Sequence, residues 1–117
     1  MELIKLPTNE EGEISVYTNE SVDSFVADYS TTQTTTTIIT PPAGEHIEIK
    51  SIFVSSSANS GALLLTGATT GTIFKAYLSS QTSTATGSLH LNLADDEILL
   101  LSCPANTFVS VNYYFES

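Results

Sequence analysis

Leu89-His90-Leu91-Asn92-Leu93-Ala94-Asp95-Asp96-Glu97-Ile98-Leu99-Leu100-Leu101 holds two strand signals of different kinds. Leu89, Leu91 and Leu93 alternate strictly with His90 and Asn92, the period of a strand with one buried face. Asp95-Asp96 reads as a tight turn. Ile98 to Leu101 is a continuous apolar run, the mark of a strand buried on both sides. One open sheet cannot bury both kinds of strand, whereas two packed sheets can.

The same punctuation continues outward from this stretch. Thr34 to Thr40 reads as a strand stopped by Pro41-Pro42-Ala43-Gly44, since proline cannot donate to a ladder. The next strand runs from His46 to Ser55. Its Ile47 and Ile49 are out of phase with Ile52 and Val54 by one residue. Either a β-bulge near Lys50-Ser51 restores a single buried face, or the strand is buried on both sides with Phe53 against a second layer. Strands follow at Ala62–Thr66 and Thr72–Leu78, then a polar loop from Ser79 to Ser88. The last strand, Thr107 to Phe115, sets Val109, Val111, Tyr113 and Phe115 on one face. Tyr114 then faces outward, where it suits a subunit interface or a sugar.

Residues 1–33 read differently. They carry seven acids and one lysine, a net charge of −6. We take 1–33 as an acidic N-terminal arm or first element and 34–117 as the β-sandwich domain. Leu3, Ile4 and Leu6 form an apolar patch suited to lying across a neighbouring subunit. Ile14 and Val16 suggest a short strand over residues 13–17. Val22, Phe25, Val26 and Tyr29 have the spacing of a helical face, with Asn19 or Ser21 as cap. Two turns are marginal alone, so a strand over residues 19–30 stands as the alternative. With residues 13–17 counted, the expectation is about eight short antiparallel strands in an all-β, jelly-roll-like sandwich.

Composition agrees with that class and narrows function. Of 117 residues, 41% are hydrophobic, 14% are charged, and 33 are Ser or Thr. Disordered chains show low hydrophobicity and high charge instead. Three lysines, no arginine and a net charge of −10 argue against nucleic acid and against an anionic membrane surface. No apolar run approaches the ~20 residues of a spanning helix. The N-terminus lacks the apolar core of a signal peptide.

Chemistry-bearing residues are few. Cys103 alone cannot form an internal disulfide and reads as a small buried apolar residue. A Cys103–His46 or Cys103–His90 pair requires contact in space. Both histidines read as surface residues. Asp95-Asp96-Glu97 lacks the spacing of a calcium loop and reads as a solvated acidic turn, as does Glu10-Glu11 with Glu13. Asn19-Glu20-Ser21 matches a glycosylation sequon, a tripeptide common by chance. The expectation is no catalytic residue, no metal and no cofactor.

Two patches carry a family resemblance. Pro41-Pro42-Ala43-Gly44-Glu45-His46-Ile47-Glu48-Ile49-Lys50-Ser51-Ile52-Phe53-Val54-Ser55-Ser56 resembles the opening of small β-sandwich proteins of tailed bacteriophages. Asn106 to Glu116 is similar to the closing strand of the same group. The resemblance spans roughly residues 38–117 and implies a virion structural protein that decorates the capsid or builds tail or fibre parts, commonly as a trimer. The implied partners are other virion proteins: the major capsid protein or tail proteins, with further copies of this chain. A tail or fibre adaptor contacting the host, and a small carbohydrate-binding sandwich, are the alternatives. The interface residues expected are Leu3, Ile4, Leu6 and Tyr114.

Overall fold

The computed structural model describes residues 22–79 and 82–117. The expected strand at 13–17, the patch Leu3, Ile4 and Leu6, and the sequon at Asn19 lie outside the described residues. Among the described residues there are nine strands: β1 (Asp23–Tyr29), β2 (Gln33–Ile39), β3 (His46–Ser56), β4 (Ala62–Gly67), β5 (Gly71–Tyr77), β6 (Thr82–Ala85), β7 (Leu91–Asn92), β8 (Leu99–Cys103) and β9 (Thr107–Glu116). One sheet has the order β1-β9-β3-β6, with β7 also on β3, and the other has the order β2-β8-β4-β5. First pairs with last, second with next to last, and so inward to the β4–β5 hairpin. This is a long hairpin rolled into two sheets, the jelly-roll arrangement of an antiparallel β-sandwich.

Of the two readings left open over residues 19–30, helix or strand, the strand holds from Asp23 to Tyr29. β1 pairs with β9 along its whole length, from Asp23 opposite Tyr113 to Tyr29 opposite Thr107. Seven ladder positions with Phe25, Ala27 and Tyr29 packed against the core outweigh what two helical turns offer. Residues 23–29 are thus part of the sandwich.

β3 is the spine of its sheet. Its register against β9 shifts between Ile49 and Ser51, so the bulge at Lys50 is real. It brings Ile47, Ile49, Ile52 and Val54 onto one side, each 2% exposed or less. Phe53 faces outward, so the two-sided alternative for this strand does not hold. The same bulge shortens the Leu89–Leu93 strand. Only Leu91 and Asn92 keep ladder pairing with β3, while Leu89 N–H and Leu93 N–H still donate to the Lys50 and Ile47 carbonyls. The loop read from Ser79 to Ser88 contains β6, which pairs with residues 53–56 of β3. β6 and β7 are one edge strand broken where β3 bulges.

The core lies between the sheets. Ile47, Ile49, Ile52, Val54, Val109 and Val111 face Leu63, Leu65, Leu99, Leu101 and Cys103. The run Ile98–Leu101 is buried on one side more than on both. Leu99 and Leu101 are fully buried, and Leu100 is half-buried between Thr37 and Thr66 of the flanking strands.

Candidate functional site

The outer face of the β1-β9-β3-β6 sheet carries the chemistry, and strand parity explains why. Ile47 and Ile49 point inward, so His46 and Glu48 point outward. Across the ladder, His46 is opposite Glu116 and Glu48 is opposite Tyr114. Four outward side chains are thus fixed in a block at one end of the β3–β9 pair. His90 and Asp95 reach this block from the segments flanking β7.

Glu48 is 4% exposed although it lies on an outer face. His90 Nδ1 is 2.8 Å from its Oε2, the Tyr114 hydroxyl donates to it, and Lys50 Nζ is 3.8 Å away. The hydrogen bond to His90 leads these effects, and with Tyr114 and Lys50 it holds the Glu48 carboxyl below the ordinary glutamate range against the opposing effect of burial. Lys50 also lies 5.4 Å from the centre of the Tyr114 ring. His46 stands between two carboxylates. Its Nδ1 is 3.4 Å from Asp95 Oδ1, and its Nε2 is 3.8 Å from Glu116 Oε1. Donor atoms of His46, Glu48 and Glu116 all lie within 4.8 Å of one another.

Tyr114 is therefore not the outward platform the sequence suggested. It is 7% exposed, committed to Glu48 and covered by its neighbours, so it offers no open ring to a sugar or a second subunit. Among the described residues the exposed tyrosine is Tyr77 on edge strand β5, with Lys75 Nζ 4.6 Å from its ring centre.

The acidic run Asp95-Asp96-Glu97 is also not simply solvated. Asp95 contacts His46. Asp96 adopts φ 63°, accepts from the Gly44 N–H at 2.7 Å and donates its own N–H to the Glu45 carbonyl. Glu97 is 3% exposed. It accepts from the backbone N–H groups of Thr69, Thr70 and Ala94 and from the Thr70 hydroxyl. Burial pushes the Glu97 carboxyl up, but these hydrogen bonds outweigh it and leave the group below its ordinary range. The run is a node that ties three loops together.

Cys103 occupies the opposite end. It is 3% exposed, and burial raises its thiol pKa, opposed by hydrogen bonds with the Gln33 backbone and the Thr107 side chain. Thr107 begins β9, and Glu116, beside His46, ends it. Nine residue steps of strand separate them, about 30 Å. His90 is at the Glu48 end as well, so neither imidazole meets the thiol.

A second feature of the outer face is apolar. Val26, Ser110, Phe53 and Ala85 stand in one row across β1, β9, β3 and β6. Phe108 packs edge-on to Phe53 with ring centres 6.1 Å apart. Val26 is 57% exposed and Phe53 38%, and no layer among the described residues lies over them. Comparison with protein-family models, curated proteins and solved structures returned no significant match.

The sequence missed the His46–Glu48–Glu116 grouping. Its signal was the alternation of His46 and Glu48 with Ile47 and Ile49. What was lacking was the pairing of β3 with β9, which sets Glu116 beside His46.

Proposed function

We propose that this chain is a non-enzymatic structural protein of a tailed-bacteriophage particle, a capsid decoration protein held on the head shell as an oligomer, with a trimer as its symmetry. The observation that carries the reading is the uncovered row Val26, Ser110, Phe53 and Ala85, apolar at three of its four positions, with Phe108 beside Phe53. Exposed large apolar side chains grouped on one sheet face suit a place where another molecule sits. Here the row crosses the sheet from β1 to β6 and suits a broad protein surface better than a small ligand. The jelly-roll order adds support, because viral capsid domains use it repeatedly, though lectin domains and cupins do too. Low charge and a Ser/Thr-rich exterior suit polar, shape-based contacts repeated over many copies, where multivalency strengthens weak single contacts.

The test is co-sedimentation of the purified full chain with isolated heads and, separately, isolated tails. The expected result is saturable binding to heads, weakened about tenfold or more by Phe53→Asp, as for a central interface residue. Binding to tails alone would move the protein to a tail or fibre role. Binding to neither would remove the virion reading.

A further inference from the structure

We propose that His46, Glu48 and Glu116 form a binding site for a divalent first-row transition ion, zinc foremost, that pins the end of β9 to the start of β3. The proposal goes beyond the virion reading and does not depend on it.

The donor set is one imidazole and two carboxylates, a combination found at zinc sites, with the remaining position open to water. The donor atoms lie within 4.8 Å of one another. Two ligands on one tetrahedral ion with bonds of about 2.1 Å are about 3.4 Å apart. Closing the set thus takes shifts of up to about 1.4 Å, within reach of a side-chain rotation. Glu116 can supply them, since its side chain is 50% exposed. His46 and Glu48 are the fixed side, with side chains 18% and 6% exposed.

The surroundings orient these groups as the outer shell of a metal centre does. Asp95 lies against His46 Nδ1, which leaves Nε2 directed toward Glu116. A carboxylate on the far ring nitrogen fixes the tautomer of a ligating histidine and raises its basicity. His90 holds Glu48 Oε2 in the same manner. Charge also favours a dication. Glu48, Glu116 and Asp95 oppose only Lys50, which leaves −2 with neutral imidazoles. Histidine in the set selects zinc over magnesium or calcium, which take oxygen ligands.

The test uses the full chain and zinc chloride alone, at neutral pH, by isothermal titration calorimetry, with the imidazole resonances followed by NMR. The expected result is one zinc per chain, a shift of the His46 ring signals, and a raised thermal midpoint. His46→Gln and Glu116→Gln should each weaken binding at least about tenfold, the scale of disrupting a metal shell. Both alter partly exposed side chains, so circular dichroism should stay unchanged. Asp28→Asn, which removes one exposed charge from the same sheet face, should leave the affinity alone. Failure to bind zinc, wild-type affinity retained in both ligand variants, or equal stabilisation by magnesium would each overturn the proposal.

Discussion

Thr70 grips Glu97 twice, with its backbone N–H on Oε2 and its hydroxyl on Oε1 at 2.8 Å. This joins the β4–β5 turn to the loop between β7 and β8. Thr69 and Ala94 add two more N–H donors to the same carboxylate. Hydrogen bonds to a buried carboxylate are the strong kind, and removing the acceptor leaves its donors, on exposed Thr69, Thr70 and Ala94, to water. Glu97→Ala is expected to cost about 1.5–3 kcal/mol, the range for hydrogen bonds to a charged group. Glu97→Gln keeps the shape but turns an NH2 toward N–H donors, so it should recover only part of the loss. Urea midpoints of the three proteins check the order.

Gly67 is where that carboxylate and the turn come closest. A Cβ at residue 67 would stand 2.9 Å from Glu97 Cδ and 3.3 Å from Leu93 Cδ2. The colliding group is held by four hydrogen bonds and cannot swing aside freely. Gly67→Ala should therefore destabilise the protein by about 1–3 kcal/mol, the usual range for overpacking. Gly87→Ala, which meets nothing within 4 Å, is the matched control and should be near neutral by thermal melt.

Stability should depend on pH through Glu48 and Glu97. Both carboxyls are held below the ordinary glutamate value of 4.5 in the folded protein. The unfolded chain therefore binds more protons than the folded one as acid is added. Their contribution is fully present above the ordinary value and is lost as the pH falls through the folded values. Urea midpoints should climb as pH rises from about 3 to about 5, and these two groups should add no slope at higher pH. The gap between wild type and Glu97→Gln should narrow toward acid. A gap independent of pH would mean that Glu97 titrates alike in both states.

Thr35 has φ 43°, in the left-handed region, at the bulge where β2 slips against β8. Its N–H donates to the Ser102 side chain at 2.8 Å, which fixes the kink. A β-branched residue is poorly suited to that conformation. Thr35→Asn, tolerated there, is expected to raise stability by about 1 kcal/mol. Ser102→Ala should lower it by about 0.5–1 kcal/mol, the net worth of one hydrogen bond open to water. Chemical denaturation of both variants checks the opposite signs.

Strand alternation and turn residues made the sandwich legible. Ile47, Ile49, Ile52 and Val54 even placed the bulge, because their phase breaks at one point. Val22, Phe25, Val26 and Tyr29 left helix and strand open because their spacing also fits a helix, and only a partner such as β9 decides. β6 was hidden because Thr82 to Ala85 is small and polar, an edge strand with no apolar face of its own. The acidic run looked solvated because sequence shows charge but not the donors that gather around it. Tyr114 looked outward, as its parity requires, yet Glu48, Lys50 and His90 close over that face. Long-range pairing across the roll was the missing information in each of these cases.

The claim that this is a head-bound virion protein is met most directly by electron microscopy of intact phage particles labelled with gold-conjugated antibody against the chain. Label distributed over the head surface, in regular copies, is the predicted result. Particles without label, with the chain recovered only from the soluble fraction of the lysate, would contradict it.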